Sequence, residues 1–325
     1  MTETTKEILE KYQVRKTGKQ KAAFREYALG VTERLGYNAR IEPGSLGAKN
    51  IVIGNPDRAK VIFTAHYDTA PRLPIPNFIT PKNIAIYLLY QMVLTFVLVL
   101  LPMILAGALA AVPLGILSAE FNIPEEVADA VIYAVVYGAL FVSMLLILIG
   151  PANKHTANDN TSGVTCIFDL MASMPEELRE SAAFVLFDLE EVGLFGSAGF
   201  AARHKDVKMK TLVVNFDCIS DGDDIIFVLK KGARSYSKYL SEAFPSEESF
   251  RVEVLQKGAF YPSDQVSFNV GVGVAALKKF RGTNILFMNR IHTSRDIIYK
   301  EKNVELLTSG SIRLTERLSE VIDKN

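Results

Sequence analysis

Lys60–Pro71 reads KVIFTAHYDTAP, an apolar β-branched run followed at once by a histidine and an aspartate two positions apart. The run predicts a strand, and the His66-x-Asp68 spacing at its end suits a metal ligand and the carboxylate that orients it. Similar runs recur: IVIG from Ile51, SAAFVLFDLEE from Ser181, TLVVNFD from Thr211, DIIFVLK from Asp224 and TNILFMN from Thr283. Helical segments lie between them. GKQKAAFREYALGVTERLGY, from Gly18, sets Phe24, Tyr27, Val31 and Leu35 on one stripe and ends at Gly36; NVELLTSGSIRLTERLSEVIDK, from Asn303, does the same with Leu314, Leu318 and Val321. Strands alternating with helices imply an α/β fold, a mixed central β-sheet covered by helices on both faces.

A second stretch complicates this picture. From Asn83 to Ala119 no residue is charged, roughly 37 positions where about 20 cross a bilayer as a helix. Pro102 and Pro113 are the places where so long a helix should bend or break, and the crossing is expected over about 86–109. A second charge-free run, Ala130–Gly150, matches one bilayer at about 31 Å. The connector carries Glu120, Glu125, Glu126 and Asp129, while the outer flanks carry Arg72, Lys82 and Lys154. By the positive-inside rule both flanks stay cytoplasmic. Residues 83–150 therefore read as a transmembrane hairpin inserted into a discontinuous domain, 1–82 and 151–325, with the hairpin tip outside. The charged N-terminus lacks the apolar core of a signal peptide. The expectation is a multi-pass cell-membrane protein whose catalytic domain and both termini are cytoplasmic.

Composition narrows the partners. Hydrophobic residues make up 49% of the chain, high for a purely soluble protein, and Lys plus Arg equals Asp plus Glu at 36 each. That balance excludes the basic field nucleic-acid binding requires. Cys166 and Cys218 sit in apolar runs; they read as buried thiols, and no disulfide framework or thiolate zinc site can be built from them.

The acids and histidines collect at strand ends. Asp159 precedes a helix starting near Ser162, Glu190 and Glu191 follow one strand, Asp217 ends another and His292 follows a third. Singly, each has a plainer reading: a helix N-cap, solvated charges, a loop histidine. Together they supply two imidazoles and several carboxylates without thiolate, a set suited to zinc and, less well, to Mn or Co. Two histidines and three carboxylates are too many for one open tetrahedral site but fit two metals sharing a carboxylate, an arrangement used by hydrolases. A further carboxylate beside a ligand could act as general base.

The ordered motifs His-x-Asp, Asn-Asp-Asn-x-Ser-Gly, Glu-Glu-x-Gly-Leu-x-Gly-Ser, Asn-x-Asp and His-Thr-x-x-Asp resemble metallopeptidase family 28. Its members are co-catalytic zinc exopeptidases that include bacterial leucyl aminopeptidases. The resemblance covers the chain apart from the hairpin. It implies two zinc ions per chain, with Asp159 bridging them, His66 and Asp217 completing one site, and Glu191 and His292 the other. It makes Asp68 the acceptor for the second ring N–H of His66, Glu190 the general base and Tyr261 a hydroxyl near the oxyanion. The implied function is a membrane-anchored aminopeptidase acting on peptides. The alternatives are a glutaminyl-cyclase-like acyltransferase and a catalytically silent membrane receptor; the complete ligand set and the intact Glu190 favour the peptidase. Ser263-Asp264-Gln265 stands where the family often has Ser-Asp-His, which touches the pocket wall and not the ligands. Nothing in the sequence fixes an oligomeric state.

Overall fold

A computed structural model describes residues 1–246 and 250–322, the side chains of 321–322 excepted. Val321, expected on the last helical stripe, thus has its side chain outside the described part.

The strands are β1 (Ala39–Pro43), β2 (Lys49–Ile53), β3 (Val61–His66), β4 (Ala182–Phe187), β5 (Leu212–Phe216), β6 (Asp224–Leu229), β7 (Arg251–Leu255), β8 (Gly271–Lys279) and β9 (Leu286–Phe287). They form one sheet in the order β1-β2-β4-β3-β5-β8-β6-β7, with β9 paired to β8. The centre, β4-β3-β5-β8, is parallel, whereas β1, β2 and β6 bring antiparallel pairings to the flanks. Parallel strands are covered on both faces, which explains why β3, β4 and β5 are buried along their whole length. Alternate residues divide between two layers. Val61, Phe63 and Ala65 join Phe24, Phe168 and Leu314 from the helices Gly18–Arg34, Gly163–Ser173 and Glu301–Ile322. Ile62 faces the opposite layer, with Phe200 and Val207 from the helices Phe195–Arg203 and Lys205–Lys210.

Local chemistry sets the helix ends. Thr17 and Gln20 form a reciprocal capping box at the start of Gly18–Arg34. Gly36 then turns the chain at a φ of 80° that other residues rarely adopt. The strands expected from the sequence are all present, but β1, β7 and the central β8 carried no comparable signal. Gly271 and Gly273 interrupt the apolar pattern of β8 because Gln265 packs against them: a Cβ at Gly271 would lie 2.3 Å from the Gln265 carbonyl oxygen.

The charge-free runs lie within two long helices outside the sheet, Ile84–Phe121 and Glu125–Ile149, which take in Glu120 on one side of the acidic connector and Glu125, Glu126 and Asp129 on the other, so the second starts earlier than residue 130. The first neither breaks nor stops near residue 109. A wider π-turn at Phe96–Leu100 accommodates the chain just before Pro102, and Pro113 sits inside the continuing helix. The helices pack side by side where Gly107 meets Val136, yet Ser143 is the sole buried residue of either. At their base the chain returns to where it left. Pro71 bridges Ala152, Arg72 N–H donates to the Pro151 carbonyl at 2.8 Å and Asn153 N–H to the Ala70 carbonyl at 3.0 Å.

Candidate metal centre

Because β3, β4 and β5 run parallel, their C-terminal ends open on one side of the sheet. His66 closes β3, Glu190 and Glu191 lie in the loop after β4, and Asp217 follows β5. Asp159 enters from the irregular turn Ala157–Ser162, and His292 from the loop beyond β9. The ring Nε2 of His66 lies 3.3 Å from Oδ1 of Asp159 and 3.6 Å from Oδ1 of Asp217. The ring Nε2 of His292 lies 3.1 Å from Oδ2 of Asp159 and 3.3 Å from Oε2 of Glu191. One carboxylate thus stands between two imidazoles, each facing a different oxygen.

These spacings fit a cation. Zinc bound tetrahedrally at about 2.0–2.1 Å sets neighbouring donor atoms about 3.3 Å apart. Oδ1 of Asp217 and Oε1 of Glu191 are buried without a hydrogen-bond partner, as suits atoms that coordinate a metal ion. His66, Asp159 and Asp217 form one group able to hold a metal, and Asp159, Glu191 and His292 another. Glu190 brings an oxygen within 4.8 Å of ligand atoms of His66 and Glu191.

The electrostatics follow from burying these charges together. Burial opposes protonation of His66, but Glu190, Asp159, Asp217 and Asp68 outweigh it and hold its pKa well above the ordinary value. His292 rises likewise beside Glu191 and Asp159. Burial pushes Asp159 up, but the two histidines overcome it and hold the carboxyl below the usual range. Glu190 is raised well above its ordinary value by burial and by Glu191, Asp217 and Asp264, against the pull of His66. A divalent cation held by these groups would compete with their protons, so binding it would release protons.

Hydrogen bonds hold each group in position. Asp68 lies 3.5 Å from Nδ1 of His66, at the limit of a hydrogen bond, and the bonds it does form are to backbone: it accepts Glu190 N–H at 3.0 Å and Glu191 N–H at 3.2 Å. Asn158 and Asn160 staple the Asp159 turn to the end of β5. Asn158 Oδ1 accepts N–H from Ser220 and Asp221, Asn160 Oδ1 accepts from Gly163 and Cys218, and Asn160 Nδ2 donates to the Phe216 carbonyl. Leu189, Cys218 and His292 adopt left-handed backbone conformations, φ 56°, 57° and 60°, uncommon strain that this network sustains beside the ligands. The Tyr261 hydroxyl donates to the Asp217 carbonyl at 3.1 Å. Gln265, in place of the family's histidine, is buried; it donates to the Tyr261 carbonyl at 2.6 Å and accepts from Asn215, which ties the loop to β5.

Two supporting residues had no assigned role in the sequence. Asp296, buried, accepts N–H from Asn158 at 2.8 Å and from Asp159 at 3.0 Å. Arg15, fully buried, donates to the Tyr67 carbonyl just after His66 and to Thr161 in the ligand turn. Asp296 was visible as the end of His-Thr-x-x-Asp; Arg15 had no signal.

A mixed sheet with imidazoles and carboxylates converging at its strand ends is the zinc-exopeptidase architecture. The chain belongs to peptidase family M28, whose model matches residues 140–314. That match takes in Asp159, Glu190, Glu191, Asp217 and His292 and leaves out His66 and Asp68. No curated protein matches the chain. Among solved structures, it is similar to the Legionella pneumophila aminopeptidase LapA, at 14% identity and a TM-score of 0.54 over 97% of this chain and 70% of that one. It is similar also to the glutaminyl cyclases of Bacteroides thetaiotaomicron and Porphyromonas gingivalis, each at 13% identity and a TM-score of 0.54. The first covers 95% of this chain and 94% of its own, the second 96% and 95%. At such identities the likeness is one of fold.

Proposed function

We propose that the chain is a membrane-anchored dizinc exopeptidase, an aminopeptidase that removes N-terminal residues from peptides. The observation that carries this reading is Asp159 standing between His66 and His292, with an oxygen 3.3 Å from one Nε2 and another 3.1 Å from the second. His66, Asp159 and Asp217 would hold one ion, and Asp159, Glu191 and His292 the other. Zinc there would supply Lewis acidity to the scissile carbonyl. Glu190 takes a proton from the attacking water and returns it to the leaving amine. Asp68 fixes the Glu190–Glu191 backbone and faces His66, and the Tyr261 hydroxyl serves the oxyanion by exchanging its Asp217 carbonyl for it.

In this reading residues 1–82 and 151–325 form one domain, and 83–150 form a hairpin across the membrane. Support comes from exposure: Leu109 is 75% and Val112 67% exposed on a helix with no buried residue in its distal half, far more apolar surface than a soluble monomer leaves in water. Arg72, Lys82 and Lys154 at the base keep that side cytoplasmic. A cysteine introduced beside Glu125 is then labelled by an impermeant reagent from outside and one beside Lys205 is not; the reverse pattern refutes the orientation.

The near-complete mutual coverage with two glutaminyl cyclases favours a second reading, cyclisation of N-terminal glutamine. A peptide library that includes N-terminal Gln sequences, followed by mass spectrometry with metal counting, separates the two. Release of free amino acids with two metals per chain supports the peptidase, and loss of ammonia with one metal supports the cyclase. In the peptidase reading Glu190→Gln lowers kcat by about 10²–10⁴-fold with metal content unchanged. Retained turnover would remove Glu190 from the mechanism.

A further inference from the structure

The cavity that holds the candidate ligands is bounded on its other side by neutral side chains. Asn77, Ile79, Tyr87, Tyr261, Pro262 and Ile291 line it, and its volume is about 110 Å³. Tyr87 belongs to the first turn of the long apolar helix Ile84–Phe121. It is half-buried and packs on the cluster of Ile79, Tyr261 and Ile291, whereas its helical neighbours Leu88 and Leu89 are 54% and 62% exposed.

The helix root is fastened to this wall. Tyr90 donates to the Pro76 carbonyl at 2.6 Å and Gln91 to Asn77 at 3.0 Å; Phe78 stacks on Phe287 and meets Tyr90 at a tilt; Lys82 pairs with both oxygens of Glu253 at 2.8 Å. Ile79 and Met288 exchange backbone hydrogen bonds, and Leu73 N–H donates to the His292 carbonyl at 2.8 Å. The segment from His66 to the helix therefore runs along the loop that carries His292.

We infer that Tyr87, contributed by the hairpin, is a specificity-determining residue: with Ile79, Tyr261 and Ile291 it forms the subsite for the first side chain of the substrate. The occupant is a short, uncharged side chain of alanine-to-leucine size. The volume is below the roughly 150 Å³ at which an engineered apolar cavity takes up benzene, and part of it belongs to the reacting groups. A charged side chain would meet no partner on this wall and would be rejected by its desolvation. The inference rests on the exopeptidase reading.

The test uses the full chain, zinc-loaded in lipid nanodiscs, with aminoacyl-coumarin substrates of Ala, Val, Leu, Phe, Lys and Glu. The wild type is expected to prefer Ala, Val and Leu over Phe by about 10-fold or more, the discrimination that pocket size supplies. Tyr87→Ala should raise the Phe/Ala ratio of kcat/KM about 10-fold, and Tyr87→Trp should lower the Leu/Ala ratio by a similar factor. Calorimetric binding of free L-leucine and L-phenylalanine, which needs no turnover, should shift in the same directions. If the Ala variant does not fold, Ile79→Ala on the facing wall takes its place. Ratios and binding preferences unchanged within about twofold in these variants would overturn the inference. Absence of hydrolysis in the wild type, with the leucine preference present and shifted by Tyr87, would overturn the peptidase reading and leave the subsite standing.

Discussion

Val61, Ile62 and Phe63 in β3 and Leu109, Val112 and Ile149 in the long helices share one side-chain chemistry and meet opposite fates. The first three are fully buried; the last three are 75%, 67% and 67% exposed, in that order. In the sheet, the chain supplies its own apolar surroundings by placing helices on both faces. The two long helices cover little of each other, and in the membrane-anchored reading the apolar phase comes from outside the chain. Burial thus depends on what surrounds a segment, and the candidate metal centre lies beside the root of the first long helix, whose Tyr87 lines its cavity.

The sharpest way to strain the first region is to open a hole in it. Phe63 stacks between Phe184 and Phe216, with ring centroids 6.2 and 6.0 Å away. Phe63→Ala leaves a cavity that central strands cannot close and should cost about 3–5 kcal/mol. The measurement is the shift of the chemical denaturation midpoint in detergent, and a change under 1 kcal/mol would mean that the sheet is far looser than its burial implies.

The second region calls for the opposite change. Leu109→Arg places a charge on an already exposed site, which in water would alter stability by no more than about 0.5 kcal/mol. Inside a bilayer the same residue costs up to about 2.5–3.5 kcal/mol, the full figure applying at the centre. Membrane-fraction yield and protease protection should therefore fall sharply. A variant that behaves as wild type would place that face in water and remove the contrast between the two regions.

How far the sequence carried this description depended on whether a residue acts through local pattern or through distant contact. Strand ends are local: KVIFTAH and VVNFD announce both an apolar run and the polar residue that closes it, so His66 and Asp217 could be placed before any coordinates. The strand β8 was hidden because its glycines answer to Gln265, across a loop, and not to their neighbours in sequence. Tyr87 was hidden for a related reason. Inside a charge-free run it reads as one more lipid-facing residue, and only the folding back of residues 70–82 along the His292 loop turns it toward the candidate metal centre. Asp68 was legible as a carboxylate near His66, but its two backbone acceptor bonds to Glu190 and Glu191 depend on the parallel pairing of β3 with β4. Arg15 and Asp296 likewise act on the Asp159 turn from far along the chain.

Asp68 also gives the subtlest test of how the two parts of the site are joined. If its work were confined to orienting the His66 ring, Asp68→Asn would weaken only an ion that His66 and Asp217 would hold. Its oxygens, however, accept the N–H groups of both Glu190 and Glu191, and an asparagine can offer an oxygen to just one of them while its amide nitrogen faces the other donor. The Glu191 backbone should shift, and with it the position of any ion that Glu191 and His292 would hold. Both sites are therefore expected to lose affinity by about 10–100-fold, the usual cost of disturbing groups that orient ligands. Titration against a chelator with metal counting reads this directly. Loss of a single tightly held ion would confine Asp68 to His66 and show that the two halves of the site are positioned independently.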